Sequence, residues 1–136
     1  YWFVCLFNVS LGTANTTAVI TKPVSPSYAV EGNNTTLIWT YTLDGSVGSA
    51  MFIRVNDDQS EVISKRFRPG AMNFTLKDLE RFKGEATDTR AQLTILAVQR
   101  SDEATYELIV LPAGDGSISE KVILIVNCKY LLKYCC

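Results

Sequence analysis

The sequence contains no histidine. Imidazole is the commonest general base and a leading metal ligand, so its absence weighs against acid–base catalysis and His-ligated metals. A serine or cysteine nucleophile would have only a carboxylate or a lysine to activate it. Cysteine is nearly as scarce. Of four, Cys5 lies near the start and Cys128, Cys135 and Cys136 near the end, leaving a domain's length between them without a thiol. The closing "NCKYLLKYCC" lacks the ligand spacing of a zinc site, and 128–136 reads as a linker or the start of a following segment. Neither sign of charge dominates, with 13 Lys and Arg against 14 Asp and Glu. Such a balance gives no electrostatic footprint for nucleic acid or an anionic membrane. No apolar run reaches the roughly 18 residues of a membrane span. The reading is therefore of a chain that is not an enzyme: no catalytic residues, no cofactor, no metal, no nucleic-acid partner and no small-molecule substrate.

What is present points outside the cell. The first stretch, "YWFVCLFNVSLGTA", is apolar and closes on the small residues Gly12 and Ala14. Residues 1–14 thus read as the remnant of a secretory signal peptide, with a first β-strand as the alternative. Beyond it, Asn15, Asn33, Asn34 and Asn73 each begin an N-x-[ST] triplet, the acceptor for N-glycosylation. An extracellular or cell-surface location follows as the expectation.

With 47% hydrophobic residues the chain can bury a core. Its apolar residues come in short alternating runs separated by turn formers, the pattern of an all-β sandwich. In "NTTLIWTYTL" (34–43), Leu37, Trp39 and Tyr41 share one face, with Thr36, Ile38 and Thr40 on the other. "DGSVGS" (44–49) reads as a loop, and "AMFIRV" (50–55) as a strand with Met51, Ile53 and Val55 inward. "EVISKRF" (61–67) follows, then a short strand and one helical turn within 73–82. "RAQLTILAV" (90–98), "ATYELIVL" (104–111) and "EKVILIV" (120–126) complete the set, the last two joined through the turn dipeptide Asp115-Gly116. Asp57, Asp58 and Glu61 form an acidic cluster that reads as a solvated turn. On periodicity alone, a jelly roll or another Greek-key sandwich fits nearly as well.

One segment is more specific. "RFKGEATDTRAQLTILAVQRSDEATYELI" carries Arg81, Phe82, Gly84, Leu93, Thr94, Ile95, Gln99, Asp102, Glu103, Ala104 and Tyr106 in a single register. It resembles, without a gap, the R-F-S-G-S…L-T-I…L-Q-x-x-D-E-A-x-Y stretch of immunoglobulin variable-type (V-set) domains. The resemblance implies an immunoglobulin-like V-type sandwich of two antiparallel sheets, with Greek-key connections, over 15–127. It implies that Arg81 bridges Asp102, and that Tyr106 sends its hydroxyl back to the preceding turn. The family's inter-sheet disulfide would map to Trp39 and Leu108, so this domain lacks it. A disulfide closing so long a loop contributes roughly 4 kcal/mol, while burying a Trp and a Leu contributes on the order of 3–6 kcal/mol. Apolar packing can therefore stand in its place. The expected core holds Trp39, Leu108, Tyr106, Leu37, Leu93, Ile95 and Ile53.

The cysteine-free core together with "VEGNNTTLIWTYTLDG" also resembles the V-like domains of cnidarian and other invertebrate allorecognition or immune-type cell-surface receptors. That resemblance implies a recognition or adhesion domain binding a protein partner, a like domain on another cell among them. The face used would be that of strands G, F, C and C′, with Phe52, Arg54, Glu107, Ile109 and Ile123 pointing outward. Two alternatives stand beside it. One is ligand recognition by the loops near 42–49, 66–73 and 112–119, and the other is a passive spacer module.

Overall fold

Strict alternation of side chains builds the first long strand. From Leu37 to Thr42 buried and exposed residues alternate: Leu37, Trp39 and Tyr41 are buried, and Ile38, Thr40 and Thr42 are exposed, as is Thr36 before them. β-branched threonine suits the pleated surface on the solvent side, and the large apolar residues fill the other. The computed structural model describes residues 18–57, 59–67, 70–74, 80–114 and 116–129. The expected signal segment 1–14, Asn15, Asp58, Asp115, Cys135 and Cys136 lie outside them.

Along the described residues run β1 (Val19–Thr21), β2 (Ser27–Val30), β3 (Thr35–Thr42), β4 (Val47–Asn56), β5 (Gln59–Phe67) and β6 (Gly70–Ala71). They continue with β7 (Asn73–Phe74), β8 (Phe82–Ala86), β9 (Arg90–Ile95), β10 (Ala104–Pro112) and β11 (Ile118–Asn127). A single 3-10 turn, Arg100–Asp102, precedes β10. Two sheets form, in the orders β1-β3-β9-β8-β6 and β2-β11-β10-β4-β5-β7. All pairings are antiparallel except that of β2 with β11. The chain crosses from one sheet to the other between β1 and β2, at Pro23 and Pro26, which cannot donate to a ladder.

The core lies between the sheets. One sheet supplies Leu37, Trp39, Tyr41, Phe82, Leu93 and Ile95; the other supplies Phe52, Ile63, Tyr106, Leu108, Val110, Val122 and Leu124. This is a two-sheet β-sandwich. Trp39 is wholly buried, donates from Nε1 to the Glu120 carbonyl at 3.2 Å, and packs its ring 5.4 Å from that of Phe52. Phe52 in turn pairs across the sheet with Leu108.

Strand β4 corrects the sequence reading. Phe52 and Arg54, expected outward, point into the sandwich and are 0% and 9% exposed. Ile53, expected in the core, is half-buried on the opposite face with Met51 and Val55. The loop expected over 44–49 is shorter, because Val47 is buried and opens β4. Beside Phe52, the pairing of β4 with β5 shifts register, leaving Ile63 as the extra residue of a bulge and burying both Ile63 and Ser64. Cys128 is disulfide-bonded. Its sulfur lies 3.9 Å from Glu31 Oε2, a contact without a hydrogen bond because a disulfide sulfur carries no proton. No helix among the described residues is long and apolar enough to cross a membrane.

Candidate functional site

Two constellations dominate the sandwich, one internal and one on its surface. The internal one closes the end where β9 turns into β10. Arg81 donates from Nη1 and Nη2 to Asp102 Oδ2 and Oδ1 at 2.8 and 2.7 Å. Asp102 Oδ2 also accepts the Gln99 amide at 2.7 Å, which fixes the 3-10 turn. The Tyr106 hydroxyl donates to the Asp102 carbonyl at 2.8 Å. Burial, reinforced by the Asp102 charge and partly offset by Arg54 and Arg81, pushes the Tyr106 phenol well above its ordinary range.

Arg54 extends this cluster from β4. Its Nη2 meets Glu61 Oε2 at 2.8 Å, and its guanidinium lies 5.7 Å from the centre of the Phe82 ring. Arg81 lies 5.6 Å from the same ring. Phe82 thus packs against two guanidinium groups, which lets arginine enter the core while its charge stays compensated. Arg54 and Arg81 bracket one core ring, each guanidinium held by a carboxylate of its own.

The second constellation is the outer face of the six-stranded sheet. Register places Ser60, Val55, Thr105 and Ile123 in one row, Val62, Ile53, Glu107 and Lys121 in the next, and Lys65, Met51, Ile109 and Ser119 in a third. Tyr28 on β2, 64% exposed, stands beside Ile125 at the edge. Glu107 and Lys121 sit 4.0 Å apart within this apolar field. Of the residues expected to face a partner, Glu107, Ile109 and Ile123 lie here, while Phe52 and Arg54 do not. Met51, Ile53, Val55 and Ile125 take their places on the face. The signal for three of these was present in the alternation of "AMFIRV", with its phase assigned to the wrong side.

The outer face of the other sheet is different in kind. It presents Thr36, Thr40, Thr42, Gln92, Thr94, Lys83 and Glu85, with Ile38 as its one large aliphatic residue on β3. Thr36 and Thr94 bond to each other through their hydroxyls at 2.9 Å. Of the candidate glycosylation sites, Asn33 and Asn34 lie exposed in the β2–β3 turn, and Asn73 lies exposed on the edge strand β7. Asn33 and Asn34 stand off the apolar rows, whereas Asn73 pairs with Lys65 and so ends the third row at the β7 edge of the face.

No family model matches the chain, and no curated protein matches it. Solved structures match in number, 1928 chains in all, so the architecture is widely used and says little by itself about function. One match comes from the structure described as the structural basis of T cell specificity and activation by the bacterial superantigen toxic shock syndrome toxin-1. That chain is covered over 100% of its length by 82% of this one, with a TM-score of 0.72 and 16% identity. At that identity the likeness shows the fold alone, and the fold it shares is a β-sandwich of single-domain length.

Proposed function

We propose that this chain is an immunoglobulin-like, V-type sandwich with Greek-key connections that acts as an extracellular recognition or adhesion domain. It docks a protein partner on the outer face of the six-stranded sheet. The observation that carries the reading is the contrast between the two outer faces, one rich in threonine and charge, the other laid with Met51, Ile53, Val55, Ile109 and Ile123. A contiguous apolar face on a soluble domain is the usual mark of a surface that another molecule covers. Its centre is aliphatic and its charges are few, the composition of a docking core. The parallel β2–β11 pairing, the strand orders and the Arg81–Asp102–Tyr106 cluster support the V-type assignment. The sequons, exposed at Asn33 and Asn34 off the face and at Asn73 on its outermost strand, support a glycosylated, surface-exposed protein.

Sedimentation of the glycosylated domain, together with aggregation of beads coated with it, tests the reading. Self-association or bead clustering that Ile109→Arg abolishes is the expected result for a like partner. A strict monomer to high micromolar concentration, with no clustering, would remove the like-partner form. Binding that survives Ile109→Arg unchanged would move recognition to the loops between β3 and β4 and between β10 and β11.

A further inference from the structure

The apolar face ends in a groove whose chemistry is not that of the face. Beside the β4–β5 turn an open depression of about 460 Å³ is lined by Val55, Asp57, Glu103, Thr105, Ile123 and Ile125, among others. That volume lies within the roughly 300–1,000 Å³ of pockets that take small groups. Its lining sets the aliphatic Val55, Ile123 and Ile125 beside the polar Asn56, Ser101 and Thr105, and among the described residues two carboxylates are its charged groups. Glu103 is held in place there, because its Oε2 accepts the Val126 amide at 2.9 Å. The nearest cation along the chain, Arg100, is turned to the Val126 carbonyl at 3.4 Å and does not line the groove.

We infer that this groove receives an arginine or lysine side chain presented by the protein partner, an inference that rests on docking at the outer face. Such a side chain has the two parts the groove asks for. Its methylene stem lies along apolar surface while its cationic head stays at the polar rim, and here the stem meets Ile123, Ile125 and Val55 and the head meets Asp57 and Glu103. A purely apolar group would strip water from the carboxylates without replacing it. An acidic group would be repelled by both. The groove thus selects sign as well as shape, which the aliphatic rows above it cannot do.

Isotope-labelled domain titrated with N-acetyl-arginine amide, N-acetyl-lysine amide and N-acetyl-citrulline amide tests this by amide chemical shifts. Citrulline is the neutral isostere of arginine and isolates charge from shape. Saturable shifts are expected at Asp57, Thr105, Ile123 and Ile125 with the two cations, weakened by salt, and absent with citrulline. Asp57→Asn and Glu103→Gln should each weaken binding of the arginine probe by roughly two- to fivefold. Glu103→Gln keeps the acceptor for the Val126 amide, so the turn stays formed. Equal shifts from citrulline, shifts centred elsewhere, or no effect of either substitution would overturn the assignment. Those results would leave docking at the outer face standing, since Ile109→Arg decides that separately.

Discussion

Asp102 holds Arg81 by two parallel hydrogen bonds of 2.7 and 2.8 Å while its own side chain is only 2% exposed. The pair ties the start of β8 to the turn before β10, and the same carboxylate caps that turn through the Gln99 amide. Removing one partner of a buried pair leaves the other desolvated, which costs far more than the pair contributes net. Asp102→Ala should therefore lower stability by about 3–5 kcal/mol in chemical denaturation. Asp102→Asn, which retains an acceptor for Gln99, should lose less. A loss under about 1 kcal/mol for Asp102→Ala would place the pair among ordinary solvated ones.

The centre of the core rests on Trp39 in a position where the resembled family has a cysteine. Its ring is buried, tilted against Phe52 at 5.4 Å, and anchored through Nε1 to Glu120. Trp39→Ala should cost about 3–5 kcal/mol, the range for deleting a large aromatic from a packed core. Trp39→Phe keeps much of the volume and loses the bond to Glu120, so it should fall clearly between wild type and Ala. If Trp39→Ala unfolds at the wild-type denaturant midpoint, apolar packing at this site does not replace a disulfide.

Two buried tyrosines set the alkaline limit. Burial, with the Asp88 charge adding to it, pushes Tyr41 up from 10.0 to about 12, and Tyr106 is raised in the same sense. The Tyr41 hydroxyl donates to the Thr87 carbonyl at the end of the sandwich opposite the Asp102 turn. A folded pKa above the unfolded one means that the contribution is complete below pH 10. It is lost as pH climbs from there through about 12. Absorbance of phenolate should therefore rise together with loss of the β-sheet circular dichroism signal for these two side chains. In Tyr41→Phe the alkaline transition should become less steep by about one proton. Ionisation of Tyr41 well before the sheet signal changes would count against this.

Most of the architecture is legible in the sequence because burial there is one-sided. In "TTLIWTYT" the threonines mark the solvent face, and in β10 the run Tyr106, Leu108, Val110 is set apart by Glu107 and Thr105. Strand β4 carries no such contrast. Its two faces are Met51, Ile53, Val55 and Ala50, Phe52, Arg54, and ordinary hydrophobicity puts the three aliphatics inward and the arginine outward. The phase is decided by contacts remote in sequence: Trp39 needs a ring opposite it, and Glu61 with Phe82 makes room for a guanidinium. The same limit hid β6, whose Gly70 and Ala71 pair with β8 without any periodic signal, and the groove beside the β4–β5 turn, which collects residues from three separate strands.

That phase can be tested directly, because the two registers predict opposite results from neighbouring residues. With Phe52 inward and wholly buried, Phe52→Arg places a charge in the core without a partner and should unfold the domain. Ile53→Arg places the same charge on the outer face beside Glu107, its cross-strand neighbour. Opposite charges directly across a sheet are favourable by about 0.2–1 kcal/mol, so the loss from the half-buried isoleucine is partly offset and the domain stays folded. Ile53→Arg should then behave like Ile38→Arg on the other sheet in denaturation, and differ from it in partner binding. If Ile53→Arg unfolds the domain while Phe52→Arg leaves it intact, the aliphatic row of β4 is core after all, and the apolar face loses its centre.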